Sequence, residues 1–233
     1  MVRGQADAIG PAVAGGQERW GDLRLRVLSS LVLVPVALAC LWRGGLPWDA
    51  LVGLITAGLA VEWWLLCRRL PPGPGRAATL WAGVPYIGCG TVALLWLRGL
   101  PATGAWIVLM LVLAVWASDI GAYLVGRLVG GPKLAPRISP GKTWSGAAGG
   151  LLAAALAGFS VYGARGAAFA AVLGIAAQGG DLLESALKRH FGVKDSGRTI
   201  PGHGGLFDRL DGMLVAAPVA VAGVLLGAIG AMG

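Results

Sequence analysis

Two short stretches of the chain place acidic residues at helical spacing. In AAQGGDLLESALKRH a helix puts Asp181, Glu184, Ser185 and Lys188 on one face. In GGLFDRLDG, Asp208 and Asp211 lie one helical turn apart, directly before an apolar run, so both can face one pocket. Oxygen-only donors at this density suit Mg²⁺, a hard cation that shares its sphere with waters and substrate phosphates. Zinc would need cysteine or more histidine. Between the two carboxylate pairs stand Lys188, Arg189, Lys194 and Arg198, with His203 in a turn containing Gly202, Gly204 and Gly205. Cations beside carboxylates point to a phosphate ligand, because Lys and Arg bind its oxygens directly whereas carboxylates reach it only through a metal. Either carboxylate pair taken alone reads first as part of an Asp/Arg network tying two helix ends together.

The elements that must hold these groups are apolar. Hydrophobic residues make up 56% of the 233-residue chain and charged residues only 13%, with a mean hydropathy of +0.73, outside the range of soluble domains. A hydrocarbon core about 30 Å thick needs roughly 17–25 apolar residues per helix. Seven such segments are predicted, at 27–42, 48–67, 79–97, 102–126, 146–164, 167–187 and 213–231. The expected fold is an all-α integral membrane protein, a polytopic bundle of about seven transmembrane helices. These segments are continuously apolar rather than alternating, which argues against a β-barrel. Residues 1–22 lack the apolar run of a signal peptide and read as a cytoplasmic tail, with 23–233 forming the transmembrane domain.

Seven crossings place 16 of the 19 Lys and Arg residues on one side and leave Arg43, Arg98 and Arg165 on the other. By the positive-inside rule, the N-terminus and the charged loop face the cytoplasm, in a multi-pass protein of the cell (inner) membrane. The net charge of +8 suits anionic headgroups or nucleotides. Cys40, Cys67 and Cys89 lie in apolar spans without metal-ligand spacing and read as packing residues. Carboxylates at membrane depth need a partner or a polar cavity. Glu62 is expected to pair with Arg68 or Arg69. Asp119 stands above Tyr123 and Arg127 on one helix face, which admits a site role or a local ion pair.

The segment 185–212 resembles a family signature. Ser185, Lys188-Arg189, Lys194-Asp195, Gly197, Ile200-Pro201, His203-Gly204-Gly205, Asp208-Arg209 and Asp211 fall where the phosphatidate cytidylyltransferases (CDP-diacylglycerol synthases) place them. A second block, SDIGAYLVGRLVGGPKLAPRISPGKTWSG at 118–146, is similar to the same family through Ile138-Ser139-Pro140 and Lys142-Thr143-Trp144. Ser145 departs from it, since the family usually has glutamate there. The GKT within this block is not a Walker A motif, because Pro136 stands where glycine is required. With QGGDLLES, the motif blocks are 118–146 and 178–212. The first hundred residues match only as generic spans, and the resemblance implies a chain one or two spans longer than this one.

The resemblance implies transfer of cytidylate from CTP to phosphatidate, giving CDP-diacylglycerol and pyrophosphate. It implies Asp208, Asp181, Lys194 and Asp195 as catalytic residues. Two Mg²⁺ ions would be held by Asp181, Asp208, Asp211 and Asp119. Substrate would be bound by Lys188, Arg189, Arg198, His203, Arg209, Ser139, Lys142 and Thr143. The expected partners are CTP, phosphatidate and the lipid bilayer, without nucleic acid, and a homodimer is the expected assembly. A transporter or channel for an anionic substrate is the rival. Inverted repeats would favour it, but the carboxylate-rich segments have no counterpart in the first hundred residues. An enzyme transferring an alcohol onto a CDP-activated lipid would carry a glycine-and-aspartate signature that this chain lacks.

Overall fold

The computed structural model describes residues 14–193, 196–197 and 204–229. Among the described residues six helices follow one another: α1 (Ala14–Arg43), α2 (Gly45–Cys67), α3 (Pro74–Gly99), α4 (Gly104–Val129), α5 (Trp144–His190) and α6 (Phe207–Leu225). Helix α1 starts at Ala14, so the last residues of the segment read as an N-terminal tail are helical; they include good helix formers such as Gln17, Glu18 and Arg19. Between α4 and α5 a small antiparallel hairpin, β1 (Lys133–Ala135) and β2 (Ser139–Thr143), adds a feature the all-α expectation did not contain. Its register pairs Lys133 with Thr143 and Ala135 with Ser139 across a bulge.

Helices α2, α3, α4 and α5 are each long and apolar enough to cross a membrane. The 23 residues of α2 extend about 35 Å at the α-helical rise. Helix α5 runs for 47 residues but is broken at Tyr162 and Gly163, where Gly163 has φ 60°. Glycine accepts this left-handed conformation without the penalty a Cβ would bring. The two arms of α5 fold back on each other, with Gln178 of the second arm donating to the Ala147 carbonyl of the first at 3.1 Å. Helix α6 ends at Leu225, short of the predicted 231, and begins with Asp208, Arg209 and Asp211 in its first turns, leaving it less apolar length than the others.

The core lies between α4, both arms of α5 and α6. Val108, Met110, Leu111, Ala114, Leu173 and Ala217 are fully buried. A second cluster joins α2, α3 and the start of α6 through Leu59, Trp63, Ile87, Phe191, Phe207 and Leu214. Large apolar side chains such as Leu54, Trp81, Leu152 and Leu156 point outward. A soluble protein would not expose so many, whereas lipid tails solvate them. Cys67 is buried, Cys40 half-buried and Cys89 exposed, all as free thiols.

Candidate functional site

The second arm of α5 and the first turns of α6 meet at small residues. At Gly180 a Cβ would lie 2.5 Å from the Asp211 carbonyl oxygen, so only glycine permits this approach. The neighbouring residue is Asp181, and the close crossing brings Asp181, Glu184 and Asp211 together, with one carboxylate oxygen from each lying within 4.8 Å of the other two. Glu184 is 2% exposed, and its Oε1 has no hydrogen-bond partner among the described residues. Three carboxylates this close repel unless a cation joins them. A buried carboxylate oxygen without a donor and an all-oxygen set both fit a hard divalent ion.

Two lysines border the cluster. Lys142, from β2, forms an ion pair with Asp181. Lys188 sits between Glu184 and Asp208, at 2.9 Å from a carboxylate oxygen of each. Asp208 also accepts backbone hydrogen bonds from Ser196, at 3.3 and 3.1 Å, and from Gly205, at 3.2 Å. Its carboxylate therefore ties the signature loop to the start of α6, one turn from the Asp181, Glu184 and Asp211 group.

A cavity of about 560 Å³ opens beside Asp181, between α4, the hairpin and both arms of α5. Its polar lining includes Asp119, Tyr123, Arg127, Lys142, Thr143 and Gln178. Arg127 donates to the Tyr123 hydroxyl at 2.7 Å rather than pairing with Asp119. Gln178 donates to the Ser118 hydroxyl at 3.1 Å, fixing α4 against α5. Thr143 closes the hairpin and caps α5, its Oγ1 accepting from the Gly146 N–H at 3.1 Å. The GKT stretch is thus a strand end and a helix cap. Ser145, the departure from the family pattern, donates to the Gly130 carbonyl and pins the neck of the hairpin. Ser139 lies in β2, while Arg189 reaches the Ile138 carbonyl at 3.4 Å and links the hairpin tip to the end of α5.

Of the residues singled out in the sequence, the structure groups Asp181 and Asp211 in the carboxylate cluster. Asp208 and Lys188 stand beside it, and Asp119, Lys142 and Thr143 line the adjoining cavity. Arg209 is exposed on the first turn of α6. Lys194, Asp195, Arg198 and His203 lie outside the described residues. Glu184, on the polar stripe three residues after Asp181, joins the cluster beyond the ligand set that the resemblance implies, and that i+3 spacing is its signal in the sequence. Glu62 departs from expectation. Instead of a tie to Arg68 or Arg69, its carboxylate accepts from the backbone N–H groups of Leu206 and Phe207, and Arg68 stacks 4.6 Å over the Trp64 ring.

Comparison with known proteins supplies independent findings. The profile described as "Cytidylyltransferase family" matches residues 74–226. The phosphatidate cytidylyltransferase of Brucella suis biovar 1 (strain 1330) is 46% identical over 173 residues, covering 71% of this chain and 62% of that protein. The protein of the same name from Rickettsia felis (strain ATCC VR-1525 / URRWXCal2) is 33% identical over 219 residues, covering 85% of this chain and 90% of the relative. That of Haemophilus influenzae (strain ATCC 51907 / DSM 11121 / KW20 / Rd) is 35% identical over 185 residues, 68% of this chain and 64% of the relative. The chain spans about 62% of the length of the Brucella relative.

Proposed function

We propose that this chain, which belongs to the cytidylyltransferase family, transfers cytidylate from CTP to phosphatidate, forming CDP-diacylglycerol and pyrophosphate. The observation that carries this reading is the convergence of Asp181, Glu184 and Asp211 next to Lys142 and Lys188, with Asp181 also lining the 560 Å³ cavity. In the reaction a phosphatidate oxygen attacks the α-phosphorus of CTP, and the bond to the pyrophosphate oxygen breaks. Two anions approach only when cations offset their charge. Lys142 and Lys188 bind phosphate oxygens by charge-assisted hydrogen bonds, exchanging part of their present carboxylate contacts for them. Asp181, Glu184 and Asp211 would hold Mg²⁺, which supplies charge neutralisation and orientation of the phosphates. The attacking phosphate is already ionised at neutral pH, so the protein's task is positioning rather than proton removal. Lys194, Arg198 and His203 complete the proposed phosphate-binding set by their place in the signature, and Asp195 stands among them as a proposed catalytic residue.

Incubation of the purified protein with phosphatidate, Mg²⁺ and labelled CTP is expected to yield a labelled nucleotide-lipid and pyrophosphate in equal amounts. Absence of that lipid product, with the protein folded, would refute the reading.

We further propose seven crossings of the cell membrane: α1 to α4, the two arms of α5, and α6. The cytoplasmic side then holds the N-terminus and the site, in keeping with the 16 basic residues on that face. Single cysteines at Arg137, exposed at the hairpin turn, and at Gly233 are expected to react with an impermeant thiol reagent from opposite sides, once Cys40, Cys67 and Cys89 are replaced. Labelling of both from one side contradicts seven crossings.

A further inference from the structure

Helix α6 begins without a cap of its own. Leu206 occupies the N-cap position and offers no side-chain acceptor, although the first N–H groups of any helix lack partners within it. The missing acceptor comes from α2. Glu62, 2% exposed, receives the Leu206 N–H on Oε1 and the Phe207 N–H on Oε2, both at 2.8 Å. A carboxylate there also meets the positive end of the helix dipole. The Ser196 hydroxyl donates to Glu62 Oε2 at 3.3 Å, while the backbone N–H of the same residue donates to Asp208. One loop residue thus connects the buried carboxylate of α2 to the aspartate beside the metal-type cluster.

The neighbouring side chain reinforces the hold. Trp63 packs against Phe191, which follows the end of α5, with ring centroids 5.9 Å apart, and against Phe207, which starts α6, at 5.6 Å. Its indole N–H donates to the Thr79 and Leu80 carbonyls of α3 at 3.2 and 3.3 Å. Glu62 and Trp63 therefore fasten both ends of the charged signature segment to α2, a helix lying outside the residues matched by the family profile.

We infer that Glu62 is a positioning residue for the site: by capping α6 and holding Ser196, it sets Asp208, and with it the register of Asp211, against Asp181 and Glu184. It touches none of those carboxylates itself, and its effect on turnover rests on the cytidylyltransfer proposed above. In Glu62→Gln the volume is kept, but an amide NH₂ faces one of the backbone donors, so one of the two caps is lost.

With the full-length protein, Glu62→Gln is expected to lower turnover per folded molecule about tenfold to a hundredfold, the effect of losing charge-assisted hydrogen bonds. Backbone amide exchange over 204–208 should accelerate while that of α4 stays unchanged. Ser196→Ala, which leaves Glu62 in place, should show both effects in weaker form and tests the link should Glu62→Gln fail to fold. Arg68→Ala should behave as wild type. Unchanged exchange over 204–208 in the folded variants overturns the inference, as does faster exchange with full turnover, or an Arg68→Ala protein that reproduces the Glu62→Gln losses. Amide exchange needs no substrate, so it tests the cap even where no nucleotide-lipid is formed. A wild-type protein without cytidylyltransfer but with a Glu62-dependent exchange pattern would sink the reaction and keep the cap.

Discussion

Asp211→Asn is expected to lower turnover per folded molecule about a thousandfold, equivalent to about 4 kcal/mol in the transition state, while leaving the protein folded. Asp211 stands with Asp181 and Glu184 in a cluster in which one oxygen from each lies within 4.8 Å of the others. Asp181 and Glu184 are offset by Lys142 and Lys188, whereas Asp211 adds a third negative charge to that space, so removing its charge while keeping the side-chain size relieves repulsion. The same change removes a hard anionic donor from the set that would hold Mg²⁺. The two effects have opposite signs for stability and activity, which makes the result diagnostic. Turnover should be measured against Mg²⁺ concentration together with the thermal midpoint of the detergent-solubilised protein. Wild-type turnover with an unchanged Mg²⁺ dependence would show that Asp211 is not part of a metal site.

Asp208→Asn should behave differently, losing activity and stability together. Asp208 is bound to Lys188 at 2.9 Å and accepts from the N–H groups of Ser196 and Gly205. Asparagine can keep one backbone acceptor contact but cannot neutralise the ammonium, which is left sharing a part-buried position with Glu184 alone. Breaking one partner of such a pair is costly because the remaining charge stays desolvated. Turnover per folded molecule is expected to fall on the order of 10²- to 10³-fold through the lost order of the loop and the displaced lysine, with a lower thermal midpoint. An Asp208→Asn protein as stable as wild type would remove Asp208 from its structural role. One as active as wild type would remove it from the site. Measured side by side, the two aspartates separate a donor whose charge strains the fold from one whose charge supports it.

The sequence alone determined the features that depend on near neighbours. Continuous apolar runs can satisfy their backbone in lipid only as helices, so the helical membrane fold was legible from composition and run length. Helical periodicity placed Asp181, Glu184 and Lys188 on one face and Asp208 with Asp211 on another, and the structure keeps both arrangements. Lipid-facing and core-facing residues were harder to separate, because both are apolar in a membrane and no polar face marks the inside.

Tertiary structure alone decided which of these local faces meet. The convergence of Asp181, Glu184 and Asp211 depends on how closely α5 and α6 cross at Gly180, and the spacing within either helix contains no information about that distance. Lys142 reaches Asp181 because a hairpin folds back where only a loop was expected between two spans. Glu62 gave a local signal, an acid six residues from an arginine, that pointed to the wrong partner. Its acceptors serve N–H groups up to 145 residues away, and a buried carboxylate takes the donors that packing brings to it rather than those nearest in the chain.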